Sequence, residues 1–306
     1  MATSLSIIIP IYNEAENIVP LTNAIEKNCP VDYELIFIND GSKDDSLPNI
    51  IQLANTNKNI KCISLSRNFG HQHALMAGLE HATGNNIIIM DGDGQHPPEL
   101  IPSLLDLLNQ GYDLVHTERK KTAHSGFLKK ISSALFYRFI NLISDTKIVA
   151  NQADFKAFNQ KVLKAVLSFK ERELFLRGLF SWIGFRTTSY AFDAPARWHG
   201  KSKYSYTKML QLALKGTTSF SFKPLRMALL IGSLVSLAAF AFGIYALIAY
   251  FNGNTVPGWA SIIIAVMFLG GTQLLAIGLL GEYIASLFTE SKQRPIYLID
   301  QKINID

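Results

Sequence analysis

Two long runs of uncharged residues in the last third of the sequence constrain the fold most. The first is Met227–Tyr250, with 24 residues, and the second is Trp259–Gly281. At about 1.5 Å per residue, a helix over the first run is roughly 36 Å long, enough to cross the hydrocarbon core of a bilayer with some tilt. The sequence therefore predicts a two-helix transmembrane region over residues 224–284, in preference to a buried helical hairpin of a soluble domain.

Basic residues lie on the outer flanks of both runs. They are Lys223 and Arg226 before the first run, and Lys292 and Arg294 after the second. The loop between the runs, Phe251–Gly258, carries no charge. Because the cytoplasmic flanks of membrane helices are enriched in Lys and Arg, both termini are predicted to lie in the cytoplasm. The first apolar run of the chain is short and has no basic segment before it, so no secretory signal is predicted.

Charge is unevenly distributed along the chain. Only 17% of the residues are charged, below the roughly 25% of an average globular protein, and the deficit lies in residues 224–284. The net charge is +5, and one basic cluster without any acidic residue consists of Arg197, Lys201, Lys203, Lys208, Lys215, Lys223 and Arg226. Such a cluster fits either a nucleic acid or a membrane surface. Because it leads directly into an apolar run, we predict contact with a lipid bilayer and no nucleic-acid partner.

Short β-rich runs alternate with segments of helical periodicity in the first part of the chain. The runs are Leu5–Ile11, Tyr33–Ile38, Ile60–Ser64 and Asn86–Met90. This alternation predicts an α/β domain with a mostly parallel sheet. Ligands bind beyond the carboxyl ends of the strands in such sheets. Since Asp40 and Asp91 follow the second and fourth runs, both are expected at the ligand-binding edge.

Residues 125–143 have a different pattern. Apolar residues recur there at steps of three and four, beside Lys129, Lys130 and Arg138. This spacing predicts an amphipathic helix that lies in the bilayer interface. A core helix of the soluble domain would show the same spacing, so that alternative stays open. Residues 204–220 are a second candidate for an interfacial helix.

The segment Asp91-Gly92-Asp93-Gly94-Gln95 carries the strongest chemical signal. Two carboxylates two residues apart, just past a buried strand, can point at one cation where the chain turns, and Gln95 can add a carbonyl oxygen. Hard divalent cations such as Mg²⁺ prefer oxygen ligands and share them with substrate phosphates. An EF-hand loop would need Gly and Glu where the sequence has His96 and Pro102. A plain Asp-Gly turn is the alternative for this segment taken alone.

Motifs that bind phosphates in other enzyme classes are missing from the sequence. There is no Walker A motif, and the glycines of the Asp91 segment do not extend to GxGxxG. The sequence therefore disfavours an ATPase and a dehydrogenase.

Several motifs occur together in the order seen in a known enzyme family. They are Pro10-Ile11-Tyr12-Asn13-Glu14, Asn39-Asp40-Gly41-Ser42-Lys43-Asp44, Arg67-Asn68-Phe69-Gly70 and Asp91-Gly92-Asp93-Gly94-Gln95-His96-Pro97-Pro98. This set resembles the inverting family 2 glycosyltransferases of the GT-A fold. Further motifs resemble the branch that uses polyprenyl phosphate, which includes dolichyl-phosphate mannose synthases and bacterial undecaprenyl-phosphate glucosyltransferases. These motifs are Asp154-Phe155-Lys156, Leu176-Arg177-Gly178-Leu179, Gly200-Lys201-Ser202-Lys203-Tyr204 and Gly281-Glu282-Tyr283-Ile284.

The resemblance implies roles for individual residues. The residues implied to bind the nucleotide-sugar are Pro10, Tyr12, Glu14, Asp40 and Asp91. The residues implied to bind a divalent metal, Mg²⁺ or Mn²⁺, are Asp91, Asp93 and Gln95. The residues implied in catalysis are Asp93 and Asp154. The residues implied to contact the phosphate of the lipid are Arg119, Lys129, Lys130, Arg197 and Lys203.

Two positions depart from the pattern of the family. Lys156 stands where the family commonly has Arg, and a Lys does not make the bidentate contact that an Arg makes. The second turn contains Asn39 and Asp40 where the family has two aspartates, which leaves Asp40 as the only carboxylate there.

Together these features predict an integral membrane enzyme. Its parts are a cytoplasmic GT-A (Rossmann-like) domain over residues 1–223 with the interfacial helices, two transmembrane helices over residues 224–284, and a cytoplasmic tail over residues 285–306. The expected reaction is inverting transfer of a hexose from a nucleotide-sugar, with UDP-glucose favoured, to polyprenyl phosphate on the cytoplasmic face of a bacterial inner membrane. The alternatives are another UDP-hexose or GDP-mannose as donor, a hydroxyl acceptor, or a non-catalytic membrane adaptor. A homo-oligomer is left open.

Overall fold

The computed structural model describes residues 4–120, 152–172, 174–198, 223–253 and 258–305. In this part of the chain, eight strands form one sheet: β1 (Leu5–Ile11), β2 (Tyr33–Asn39), β3 (Ile60–Leu65), β4 (Asn86–Ile89), β5 (Leu114–Arg119), β6 (Gln152–Asn159), β7 (Thr187–Phe192) and β8 (Ile299–Ile303). Their order across the sheet is β7-β5-β6-β4-β1-β2-β3-β8. Strand β1 pairs in parallel with β2 and β4, and β2 pairs in parallel with β3. Strand β6 runs antiparallel to β4 and β5, and β8 runs antiparallel to β3.

Helices cover both faces of the sheet. In chain order the described helices are α1 (Ala15–Asn28), α2 (Ser46–Thr56), α3 (His71–Glu80), α4 (Ile101–Asn109), α5 (Gln160–Ser168), α6 (Leu176–Trp182), α7 (Lys223–Phe251) and α8 (Trp259–Ser291). Apolar residues of α1, α2 and α4 pack on one face, and those of α3, α5 and α6 pack on the other. The sheet therefore has a hydrophobic core on each side.

This burial on both faces explains the uninterrupted apolar character of the central strands. All seven residues of β1 are buried, and Ile7 and Ile8 face opposite cores. Helix α3 lies very close to the sheet, because a Cβ atom at Gly78 would come within 2.5 Å of Ile8 Cγ2 and 2.7 Å of Ile38 Cδ1. The close packing holds the first turn of α3 next to the carboxyl ends of the strands.

The predicted α/β domain with a mostly parallel sheet is confirmed. The four predicted strands occur within one residue of their predicted ends. Helix α3 begins at His71, directly after Gly70. Gly70, whose φ is +101°, reverses the chain just before this helix, in a conformation that glycine adopts readily.

Two of the described helices are long and apolar enough to cross a membrane. The apolar stretches are Leu225–Ala246 in α7 and Ala265–Ser291 in α8. Both helices extend beyond the predicted uncharged runs, because polar and charged flanking residues continue the helical hydrogen bonding. The predicted interfacial helices, residues 125–143 and 204–220, lie outside the described residues.

The C-terminal segment differs from the predicted tail over residues 285–306. Helix α8 continues to Ser291, and Ile299–Ile303 then forms β8 at the edge of the sheet beside β3. Within β8 the half-buried residues Ile299, Gln301 and Ile303 alternate with exposed residues. This alternation is the pattern of an edge strand with one covered face. It is only five residues long, too short to stand out from a tail in the sequence.

Candidate active site

The loops that follow β1 and β2 are joined to each other by hydrogen bonds. The backbone N–H of Asn13 donates to Ser42 Oγ at 3.0 Å, and the N–H of Glu14 donates to Ser46 Oγ at 3.0 Å. Asn13 has a φ of 53°, a left-handed conformation that Asn tolerates. These contacts place Tyr12 and Glu14, both half-buried, at the carboxyl edge of the sheet, where the nucleotide is predicted to bind.

Asp40 anchors the loop that leads into α3. Its Oδ1 accepts a hydrogen bond from the N–H of Phe69 at 2.7 Å, and its Oδ2 accepts from Asn68 Nδ2 and the N–H of Gly70, both at 2.9 Å. Burial raises the pKa of this carboxyl group, although the two backbone N–H groups partly oppose the change. Asp40 thus shapes the rim of the site, and a contact between its carboxylate and a nucleotide stays a prediction. Pro10 is buried within β1.

Asp91 follows β4 and lies between two histidines. Its Oδ1 is 2.9 Å from His71 Nε2, and its backbone N–H donates to His96 Nδ1 at 2.8 Å. Burial opposes the charge of Asp91, but the nearby His96 and His71 outweigh it and lower the pKa to about 2. His96 is itself fully buried and stacks on Phe155 with a centroid distance of 5.1 Å. Asp91 is therefore held ionised, with one oxygen engaged and its position fixed.

Asp93 and Gln95 face two arginines. Asp93 Oδ1 accepts from the backbone N–H of Gln95 at 3.0 Å, and Asp93 Oδ2 lies 3.2 Å from a guanidinium nitrogen of Arg197. Gln95 Oε1 lies 3.5 Å from Arg119 Nη2, a long contact at the limit of a hydrogen bond. Two of the arginines predicted to bind the lipid phosphate thus lie directly beside the predicted metal loop.

Trp198 covers the turn of this loop. Gly94 has a φ of +77°, and a Cβ atom there would come within 2.4 Å of the Trp198 ring. The backbone N–H of Trp198 donates to the carbonyl oxygen of Asp93 at 3.3 Å. Both the left-handed backbone and the close aromatic contact require glycine at this position. The segment containing Arg197 and Trp198 therefore forms one wall of the site.

Asp154 lies in β6 and forms a bidentate ion pair. Arg177, in the first turn of α6, donates from Nε and Nη2 to the two carboxylate oxygens at 2.6 and 2.7 Å. Burial opposes the charge of Asp154, but Arg177 and then Lys156 hold its pKa well below its usual range. The Lys156 ammonium donates to the carbonyl oxygen of Ala153 at 2.9 Å and is 3.9 Å from Asp154 Oδ1. Burial lowers the pKa of Lys156 to about 8.

Arg177 makes the bidentate contact with Asp154, and the Lys156 ammonium lies 3.9 Å from one oxygen of the same carboxylate. Arg177 belongs to a motif that supports the family resemblance, but its residue type alone gives no role. The sequence also does not predict that His71 and His96 contact Asp91, because neither histidine stands at a helical spacing from Asp91. The predicted phosphate ligands Lys129, Lys130 and Lys203 lie outside the described residues.

The described residues contain no cluster of three or more His, Cys, Asp or Glu side chains arranged to hold a metal ion. The oxygen donors of Asp91, Asp93 and Gln95 nevertheless fit a hard divalent cation, which commonly completes its coordination with water and substrate phosphates. The positions of Arg197 and Arg119 support this fit, because the oxygens of Asp93 and Gln95 already face positive charge. These donors are therefore compatible with the predicted metal site, which stays a prediction.

A mostly parallel sheet covered by helices on both faces, with an Asp-x-Asp loop at its carboxyl edge, defines a GT-A glycosyltransferase. Residues 6–167 match the family described as Glycosyl transferase family 2, and residues 223–287 match the GtrB C-terminal hairpin. The chain belongs to glycosyltransferase family 2. The predicted fold class and family are therefore confirmed.

Similar proteins cover nearly the whole chain. An uncharacterized glycosyltransferase of Synechocystis sp., sll0501, is 40% identical over 303 residues, which are 98% of this chain and 95% of that protein. The bactoprenol glucosyl transferase of Shigella phage SfX is 38% identical over 302 residues, 97% of this chain and 99% of that protein. Among solved structures, glucosyl-3-phosphoglycerate synthase from Mycobacterium tuberculosis is similar with a TM-score of 0.48 and 18% identity, covering 71% of this chain and 76% of that chain.

Proposed function

We propose that this protein transfers glucose from UDP-glucose to a polyprenyl phosphate, with inversion at the anomeric carbon. The observation that carries the proposal is the carboxyl edge of the sheet, where the acidic loop of Asp91 and Asp93 faces Arg119 and Arg197. Such an edge can hold a diphosphate and a second phosphate together. The similarity to bactoprenol glucosyl transferases over nearly the full length supports the choice of sugar and acceptor.

In this proposal Asp91, Asp93 and Gln95 hold a divalent ion, Mg²⁺ or Mn²⁺. When bound, such an ion neutralises the negative charge of the departing nucleoside diphosphate. Arg119 and Arg197 add fixed positive charge at the same edge, where it stabilises charge that develops on phosphate oxygens. Tyr12 and Glu14 lie at the rim where the nucleoside is expected.

The transfer itself requires little base catalysis. A phosphate monoester has a second pKa near about 6, so the lipid phosphate is mostly a dianion at neutral pH. One of its oxygens attacks the anomeric carbon, the new C–O bond forms opposite the diphosphate, and the bond to the diphosphate breaks with its electron pair. Asp154 is held ionised by Arg177, and its lowered pKa makes it a weak base. We assign Asp154 the role of orienting the sugar or the acceptor.

A hydroxyl acceptor is the second candidate, and the same carboxyl group disfavours it. An alcohol must lose a proton as it attacks, which is most efficient with a base whose pKa lies near the working pH. The bidentate contact with Arg177 moves Asp154 away from that range. Another UDP-hexose or GDP-mannose as donor requires no change in this chemistry, so the donor is a matter for experiment.

We further propose that α7 and α8 cross the bacterial inner membrane, with the sheet domain and both termini in the cytoplasm. Lys223 and Arg226 at the start of α7, and Lys292 and Arg294 after α8, support this orientation. The domain boundary then falls near residue 223, and the segment after α8 rejoins the sheet as β8. This arrangement holds the active site next to the membrane surface that contains the acceptor lipid.

The test uses membranes that contain the protein, polyprenyl phosphate and a panel of labelled nucleotide-sugars. We expect the label of UDP-glucose to enter lipid, with a product that is labile to mild acid and of inverted configuration. Membranes that contain Asp93→Asn serve as the matched control. If label enters lipid only from another nucleotide-sugar, the proposed donor is wrong. If the label is found in a product linked through a hydroxyl group, the proposed polyprenyl-phosphate acceptor is wrong.

A second experiment separates the two substrates at Arg119. Loss of one charge-assisted hydrogen bond weakens binding by about tenfold to a hundredfold. If Arg119 binds the acceptor, Arg119→Ala raises the KM for polyprenyl phosphate and leaves the KM for the nucleotide-sugar unchanged, measured in neutral detergent. If the KM for the nucleotide-sugar rises instead, Arg119 serves the donor through its position beside Gln95, and the predicted lipid-phosphate role is wrong.

A further inference from the structure

The first turn of α3 contains three consecutive polar residues that contact different parts of the protein. His71 contacts Asp91 in the acidic loop. Gln72 Oε1 accepts a hydrogen bond at 3.0 Å from the N–H of Leu176, the first residue of α6. His73 Nε2 lies 3.4 Å from the carbonyl oxygen of Arg172. One helical turn thus joins the acidic loop to the residues that lead into α6.

The end of the second membrane helix contacts the same residues from the other side. Glu290, in the last turn of α8, accepts a hydrogen bond through Oε1 from the backbone N–H of Arg172 at 2.7 Å. The guanidinium of Arg172 donates to the carbonyl oxygen of Arg294. Tyr297 then donates to Glu80 at the end of α3, and the chain continues into β8. We call residues 290–303 the C-terminal clasp.

These contacts converge on the ion pair of Arg177 and Asp154. Arg177 is the second residue of α6, so the position of the α6 start decides whether its guanidinium meets both carboxylate oxygens. The 2.6 and 2.7 Å contacts leave little tolerance for a shift. A displacement of about 1 Å at a reacting group can lower a rate by about a hundredfold. The α6 start is held from one side by Gln72 and from the other by the clasp.

We propose that Glu290 is a positioning residue for sugar transfer, which acts through Arg172 and the start of α6 on the Arg177–Asp154 pair. Glu290 lies at the end of a membrane helix, so this relay also fixes the catalytic domain relative to the membrane. The inference rests on the proposed function for its activity readout. Its structural part, the dependence of the α6 start on Glu290, is independent of the substrate.

The experiment compares Glu290→Ala with Glu290→Gln in the full-length protein in detergent. The amide of Gln keeps the oxygen that accepts from Arg172, whereas Ala removes it. We expect Glu290→Ala to lower kcat by about fivefold to tenfold, the size of one ordinary hydrogen bond, which an amide oxygen can also accept. The KM for UDP-glucose should not change, because the acidic loop is untouched. Glu290→Gln should retain the kcat of the wild type.

Asn304→Ala is the matched control within the same C-terminal segment. Asn304 Nδ2 donates to the carbonyl oxygens of Ala54 and Ile60 at 2.7 and 2.8 Å, far along the chain from α6. This variant should lower the apparent melting temperature and leave kcat unchanged. Gln72→Ala tests the opposite end of the relay and should lower kcat like Glu290→Ala, which keeps the inference testable if one variant does not fold.

Hydrogen–deuterium exchange provides a readout that needs no substrate. Backbone exchange at Leu176–Trp182 should increase in Glu290→Ala and stay at the wild-type level in Glu290→Gln and Asn304→Ala. If the wild type transfers no sugar, the proposed function fails and the exchange experiment still decides the inference. Equal kcat and equal exchange in Glu290→Ala and the wild type would overturn the positioning role, as would equal losses in the Ala and Gln variants.

Discussion

Replacing Arg177 tests how the ion pair at Asp154 contributes to catalysis. Arg177→Ala removes two hydrogen bonds to the carboxylate, at 2.6 and 2.7 Å. A hydrogen bond to a charged group contributes about 1.5–3 kcal/mol when it is sheltered from water. Because the Arg177 side chain is 36% exposed and water weakens exposed ion pairs, we take about 2 kcal/mol as the total contribution of the two hydrogen bonds. If Asp154 orients a substrate, kcat should fall by about thirtyfold.

The dependence of kcat on pH should also change in Arg177→Ala, in a direction that the ion pair predicts. Burial disfavours the charge of Asp154, and Arg177 is the strongest of the groups that lower its pKa. Without Arg177 the pKa of Asp154 rises, so the carboxylate becomes protonated at a higher pH than in the wild type. The acid limb of the kcat profile should therefore move to higher pH in Arg177→Ala, and activity should recover as the pH increases.

The assay measures the transfer of labelled glucose to polyprenyl phosphate in detergent at a series of pH values. Lys161→Ala is the matched control, because Lys161 pairs with Asp113 at 3.3 Å but its side chain is 61% exposed. We expect this surface variant to keep the kcat and pH profile of the wild type. A wild-type kcat together with an unshifted profile in Arg177→Ala would refute the orienting role of Asp154.

Three further predictions follow from the acidic loop, the membrane helices and a buried carboxylate. Asp93→Asn, or chelator added to the wild type, should lower activity by about a hundredfold to a thousandfold, and full activity in excess chelator would contradict the metal role. A cysteine at position 254 should react with an impermeant thiol reagent in intact cells and one at Ser291 should not, whereas reversed labelling would contradict the orientation. Glu34 is buried, yet hydrogen bonds from Lys61 and Ser6 outweigh burial and lower its pKa below 4.5. Its stabilising effect is thus present above its unfolded pKa and is lost as pH falls through its folded pKa. Glu34→Gln should therefore lower the melting temperature most near neutral pH, and the difference from the wild type should shrink as the pH falls through the folded pKa. A difference in melting temperature that does not change with pH would contradict this.

The fold of the sheet domain follows closely from local sequence patterns. Strand β1 is a continuous apolar run ahead of a turn, so its limits could be predicted without knowledge of its neighbours. The positions of β6 and β7 in the sheet could not, because they are set by pairing with residues distant in the sequence. Strand β8 pairs with β3 across more than two hundred residues, a contact that no short-range pattern contains.

In the candidate site, likewise, some residues could be predicted from the local sequence, whereas the contacts between segments could not. Asp91 and Asp93 are two residues apart in the sequence and follow a strand, so their chemistry could be predicted from spacing. Their partners come from other segments, His71 for Asp91 and Arg197 for Asp93, and only the folded sheet brings them together. The family resemblance implies a lipid-phosphate role for Arg119, which stays a prediction, whereas its position beside Gln95 at the end of β5 is seen only in the folded structure.

Strand β8 has a consequence for the order in which the protein is assembled. The ribosome delivers residues from the N-terminus, and domains commonly fold as they emerge. Here the outer edge of β3 stays unpaired until Ile299–Ile303 has been made, and these residues follow both membrane helices. An exposed strand edge invites pairing with other chains. The sheet is therefore completed only after α7 and α8 have been synthesised. A chain that stops before β8 would leave the ribosome with an unpaired edge at β3.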